Sequence, residues 1–86
     1  MKDVEKILKA LANRRRLAII QYLKNTREAS VGDIAAKIKL SFKSTSRHLS
    51  VLSSTNILDK EQRSLSVFYR LSDQASQLVK SVIKFL

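Results

Sequence analysis

The spacing of the apolar residues changes once along this chain and then changes back, and no other feature narrows the fold as much. A period near 3.6 buries one side of a helix and a period of 2 buries one face of a strand. Val4, Ile7, Leu8 and Leu11 follow i, i+3, i+4, i+7, which predicts a helix over 4–11. Asn13 is a good N-cap and opens a second helix with Leu17, Ile20 and Leu23 inward, ended by Asn25-Thr26. Ser30 with Asp33 resembles a capping box before a short helix striped by Val31, Ile34, Ala35 and Ile38. Ser41 caps the next helix, which has Thr45, Leu49 and Leu52 on one side and ends at Asn56, a residue that tolerates left-handed backbone. The period then drops to about 2. Residues 57–62 and 66–71 read as two strands joined by Arg63-Ser64-Leu65, with Val67, Phe68, Tyr69 and Leu71 apolar. The helical period returns after Asp73, a candidate cap, with Ala75, Leu78, Val79, Val82, Ile83 and Leu86.

The expected fold is mainly α with a small β-hairpin: four helices, the hairpin and a C-terminal helix. Two short helices in series before a hairpin, here 31–38 and 42–54 joined by Lys39-Leu40-Ser41, make a winged helix-turn-helix. With 86 residues, no proline and one glycine, residues 1–86 read as a single domain with no linker. Apolar runs stop at four residues, so no membrane span and no secretory leader are expected, and a cytoplasmic setting fits.

Charge supplies the partner. The chain carries 17 Lys and Arg against 7 Asp and Glu, a formal net charge of +10. So large a surplus costs self-repulsion and points to an anionic partner, either nucleic acid or a membrane surface. The surplus is +4 over residues 1–36, +5 over 37–70 and only +1 over 71–86, so it belongs to the helix-turn-helix and the hairpin. Zero cysteines remove disulfides, thiolate metal sites and cysteine nucleophiles. One histidine, His48, cannot build a histidine metal site alone. Neither a nucleophile–base pair nor a cofactor motif is present, so an enzyme is not expected and no cofactor is assigned.

A helical wheel locates the chemistry. With Thr45 at zero and about 100° per residue, Leu49 and Leu52 fall within about 40° of it. Lys43, Arg47, Ser50 and Ser54 gather on the opposite side, with Ser44 and Ser46 flanking. Small hydroxyl residues let a helix backbone sink into the major groove, arginine pairs bidentately with guanine, and lysine reaches guanine or phosphate. The same face on a solvated helix would also be polar; its place after a short helix and before a hairpin favours DNA.

At these residues the chain resembles a known family. Lys9-Ala10-Leu11-Ala12-Asn13-Arg14-Arg15-Arg16-Leu17-Ala18-Ile19-Ile20-Gln21-Tyr22-Leu23 looks like the opening of ArsR/SmtB-type winged-helix repressors. The stretch from Leu40 to Leu52 resembles their S-x-H-L-x-x-L recognition helix, and Ile57-Leu58 through Tyr69-Arg70-Leu71 resembles their wing. The resemblance implies a dimeric, DNA-binding transcriptional regulator, usually a repressor. It carries over Lys43, Ser44, Ser46 and Arg47 as recognition residues and Arg63 as a wing contact; Ser50 and Lys39 join them as DNA-binding candidates on the same face and in the turn before it. Arg16 matches the family's near-fixed arginine and either contacts phosphate or fixes helix 14–24 by local hydrogen bonds. His48 matches a family histidine that is not a metal ligand; a boundary residue bonded locally is the favoured reading. Ser64 stands where the family's wing turn commonly has glycine.

The family's metal-sensing positions are changed. Ser30-Val31-Gly32-Asp33-Ile34-Ala35 holds no cysteine, and the final helix offers Asp73 with no histidine or glutamate. No metal response is expected. The Arg14-Arg15-Arg16 cluster opposes the dipole at a helix start, a cost that a phosphate partner would offset.

Helices 4–11 and 74–86 are too apolar for so small a domain, which predicts a homodimer packed on Val4, Ile7, Leu8, Leu78, Val79, Val82, Ile83 and Leu86. Twofold symmetry then predicts a palindromic operator in double-stranded DNA. A winged-helix module that binds protein is the alternative. A membrane-surface helix is disfavoured because 74–86 holds only Lys80 and Lys84 as cations. The residues name no small-molecule effector.

Overall fold

The computed structural model describes residues 2–86. Among them the order is α1 (Lys2–Leu11), α2 (Arg14–Thr26), β1 (Glu28–Ser30), α3 (Val31–Ile38), α4 (Phe42–Ser54), β2 (Leu58–Arg63), β3 (Ser66–Leu71) and α5 (Gln77–Ile83). Three N-caps act where the sequence placed them. Asn13 Oδ1 accepts from the amides of Arg15 and Arg16, Ser30 Oγ from Asp33, and Ser41 Oγ from Ser44. Asn56 takes φ 59° at the end of α4, and Ile57 N donates to Leu52 O at 3.0 Å, closing the last turn.

The core draws one side from each helix. Ile19, Ile20, Ile34, Leu49, Leu52 and Ile57 are fully buried, joined by Leu23 and Val79. Each such side chain is worth about 1.5–3 kcal/mol relative to exposure.

Two elements depart from expectation. A third strand, β1, pairs antiparallel with β3, placing Glu28 opposite Arg70 and Ala29 opposite Tyr69, so the sheet order is β1-β3-β2. Three residues carry no readable period, and only pairing with a strand some 40 residues later makes them a strand. The last helix is shorter than 74–86. Ser76, not Asp73, caps it, with its Oγ accepting from Val79 N. Residues 72–75 are held to the sheet end instead: Ser72 N donates to Ile57 O, and the amides of Gln74 and Ala75 donate to Ser72.

Helix α2 ties α1, α3 and α5 together through side chains that bond carbonyls at their C-terminal ends. The last four carbonyls of α1 have no partner within the helix. Ala12 N donates to Leu8 O and Asn13 N to Leu11 O, while Arg16 takes the other two, Nε to Ala10 O at 2.6 Å and Nη2 to Lys9 O at 3.0 Å. Arg15 Nη1 donates to Ile38 O at the end of α3. Lys24 Nζ and Gln21 Nε2 donate to Ile83 O and Leu86 O at the end of α5. Two arginines that stand unfavourably at the start of their own helix therefore sit favourably at the negative ends of two others. That changes the expectation for the cluster: Arg15 and Arg16 are balanced within the chain without a phosphate.

Candidate nucleic-acid interface

The turn before α4 sets its direction. Lys39 takes φ 56°, and Leu40 N donates to Ala35 O at 3.1 Å, a left-handed end to α3 that turns the chain sharply into Ser41. Lys39 is exposed at this corner. On α4, Thr45, Leu49 and Leu52 are buried, as the wheel requires. Lys43, Arg47 and Ser50 are exposed, and Ser44 and Ser46 are half-buried on the flanks. Lys43, Ser46, Arg47 and Ser50 line one shallow depression with Phe42, which is 63% exposed. No acidic residue lies on α4. Sequence reasoning passed over Phe42: the wheel puts it about 60° from Thr45, beside Leu49, and its exposure at the helix start is visible only in the structure.

Arg16 and His48 link this helix to the helix ends behind it. Arg16 Nη1 lies 3.2 Å from His48 Nδ1. Arginine only donates, so Nδ1 accepts and the ring proton sits on Nε2. Burial, then the charges of Arg16 and Arg15, hold the imidazole below its ordinary range. One guanidinium thus fastens α4 to the C-terminal end of α1. The sequence left a phosphate contact or local hydrogen bonds open for Arg16; the structure gives it hydrogen bonds, to the last carbonyls of α1 and to His48.

The wing is the β2–β3 hairpin, with a two-residue turn at Ser64-Leu65. Ser64 takes φ 56°, the positive value that such turns normally give to glycine or asparagine. Arg63 is held within the sheet. Its two Nη atoms donate to Glu28 at 2.7 and 2.9 Å and to Glu61 at 3.0 Å, and the guanidinium lies 4.7 Å from the centre of the Phe68 ring. Arg70 Nη1 reaches Glu61 as well, at 3.3 Å. Hydrogen bonds from Arg63 hold both carboxyls below the usual carboxylate range. Two cations and two anions balance here, whereas Lys39, Lys43 and Arg47, on α4 and in the turn before it, have no ion-pair partner among the described residues.

On the other proposed surface, Val4, Leu8 and Leu78 are exposed and Ile7, Val82, Ile83 and Leu86 are half-buried. Val79 is only 1% exposed and lies in the protomer's own core. Among the described residues no three His, Cys, Asp or Glu side chains are grouped as a metal site, and no helix is long and apolar enough to cross a membrane.

The model of bacterial regulatory proteins of the arsR family matches residues 13–60, from the cap of α2 into the first strand of the wing. The chain belongs to the arsR family. It is similar to the transcriptional activator HlyU of Vibrio cholerae, at 38% identity over 80 residues, covering 93% of this chain and 70% of that protein. The structure of reduced HlyU superposes with a TM-score of 0.84, covering 99% of this chain and 85% of that one, at 35% identity. The biofilm growth-associated repressor of Agrobacterium fabrum is 33% identical over 81 residues, 93% of this chain and 68% of that protein. The homodimeric winged helix-turn-helix DNA-binding domain Mb0332 of Mycobacterium bovis is 27% identical with a TM-score of 0.82, covering 98% of this chain and 74% of that one. This arsR-family chain is a winged helix-turn-helix, DNA-binding transcriptional regulator.

Proposed function

We propose that the regulator acts as a homodimer on a palindromic operator in double-stranded DNA, in the bacterial cytoplasm, without catalysis. The observation that carries this reading is the outward face of α4: Lys43, Arg47 and Ser50 exposed, serines beside them, and no carboxylate on the helix. Arg47 reads a guanine; Lys43 and Lys39 meet guanine or phosphate. Ser44, Ser46 and Ser50 allow close approach. Arg63 ranks below them, because a phosphate must compete for it with Glu28 and Glu61. Arg16 serves the interface by fixing α4.

The partner subunit covers the exposed Val4, Leu8 and Leu78 together with Ile7, Val82, Ile83 and Leu86. Half-sites then lie about 34 Å apart, one turn of DNA. The relatives include an activator and a repressor, and operator occupancy is the step common to both; we read occlusion of a promoter as this chain's mode.

The test is site selection from random duplex, followed by titration of the selected duplex at several salt concentrations. Each cation that meets phosphate adds about 1 to the salt slope, and a bidentate guanine contact adds about 1–3 kcal/mol of discrimination. Arg47→Ala should relax the sequence at one position per half-site, and the Lys43/Arg47 double alanine variant should lose operator preference. Equal binding by the double variant refutes the assignment of α4 and favours the protein-binding alternative.

A further inference from the structure

Helix α4 opens on a side chain that neither charge nor hydrogen bonding explains. Phe42 is the first residue of α4 and is 63% exposed, while the helix's inward apolar residues are sealed. It is absent from the core and from the shell of half-buried residues packed on it. It does not staple the helix start, because the staple positions around the Ser41 cap are Leu40 and Thr45. The apolar surface assigned to the second subunit lies toward the other end of the helix: Ile7 of α1 lines a depression with Ser54 and Thr55, about 18 Å along α4 from Phe42. What Phe42 does share is the depression lined by Lys43, Ser46, Arg47 and Ser50.

We propose that Phe42 is a specificity-determining residue that packs on the 5-methyl group of a thymine in each half-site. The proposal rests on the DNA-reading assignment of α4. The N-terminal residues of a recognition helix are those that meet base edges. Among the base edges of the major groove the thymine methyl is the apolar feature, and an exposed aromatic ring is its complement. Ser46, one turn along the same side, is small enough to leave the ring room. Lys43 and Arg47 beside it favour phosphate and guanine, so the depression pairs one apolar contact with two cationic ones.

Replacing thymine by deoxyuridine deletes only the methyl group, which makes the test clean. The probe is the selected operator duplex, with each thymine position changed in turn to deoxyuridine in both half-sites and binding measured by fluorescence anisotropy. Burial of one methyl predicts about a four-fold loss per half-site, or roughly fifteen-fold for both, at one thymine position. Phe42→Ala should bind the thymine operator weaker by at least that factor and lose nothing further on deoxyuridine replacement at that position. Phe42→Leu, still apolar, should keep part of the methyl effect. The proposal is overturned if no thymine methyl matters to the wild-type protein, if no thymine is selected, or if Phe42→Ala keeps the full methyl penalty. Those outcomes leave the reading of α4 intact when the Lys43/Arg47 variant still loses operator preference; if that variant binds like the wild type, the reading itself falls and takes this proposal with it. Phe42 lies outside the core cluster and is 63% exposed, so Phe42→Ala should unfold close to the wild-type midpoint, separating lost recognition from lost fold.

Discussion

Arg16→Met removes the guanidinium and keeps most of the aliphatic stem, and its effect can be worked from three hydrogen bonds. The bond to Ala10 O, at 2.6 Å, lies in a half-buried place beside a residue only 1% exposed. Losing a charge-assisted bond there costs about 1.5–3 kcal/mol, because the carbonyl is left unsatisfied. The bond to Lys9 O is at the exposed surface, where water replaces the donor and the cost is below about 1 kcal/mol. The contact with His48 Nδ1 adds a smaller, half-exposed share. The sum is roughly 2–3 kcal/mol, a fall in midpoint of about 10–20 °C for a domain of this size. Urea unfolding at fixed protein concentration, followed by circular dichroism, measures it; concentration is held constant because dimerisation would stabilise the folded state. Arg16→Lys, with one point donor, should recover only part of the loss. Below the variant's midpoint its salt slope on DNA should equal that of the wild type. A stability change under about 0.5 kcal/mol together with a slope reduced by about 1 per protomer would refute this account and make Arg16 a phosphate contact.

Two further outcomes are expected. His48 is held neutral in the folded chain, chiefly by burial, so its contribution to stability is complete above its ordinary pKa near 6.5 and is lost as pH falls through its lower folded value. Urea midpoints measured from pH 7.5 down to 5 should decline, and His48→Gln, which can still accept from Arg16, should flatten that decline; an unchanged decline in the variant contradicts the assignment. Carboxylates held low by Arg63 add their own loss only below about pH 4.5, outside that window. Leu8→Asp combined with Leu78→Asp places charges on the exposed apolar surface and should give a folded monomer by sedimentation, with weakened operator binding; an unaltered dimer would move the interface elsewhere.

How far the sequence reaches is set by the range of the interactions involved. Asn13, Ser41 and Asn56 act on backbone groups within a few residues of themselves, so the starts of α2 and α4 and the end of α4 were legible from residue types and spacing alone. The outward face of α4 was legible for the same reason: the helical period fixes which residues oppose Thr45, Leu49 and Leu52. Long-range partners were not legible. β1 exists because Glu28–Ser30 meets β3 some 40 residues further along the chain, and nothing within those three residues demands extended backbone. Ser76 displaced Asp73 as a cap because residues 72–75 are tied to the end of the sheet. The basic residues show the limit best. Sequence alone gave their number and their concentration outside the last helix. Tertiary structure decided which are occupied: Arg15 and Arg16 on the carbonyl ends of α3 and α1, Arg63 and Arg70 on Glu28 and Glu61. A long cationic side chain satisfies whichever acceptor the fold brings within reach, and that acceptor is fixed by packing, not by neighbours in sequence.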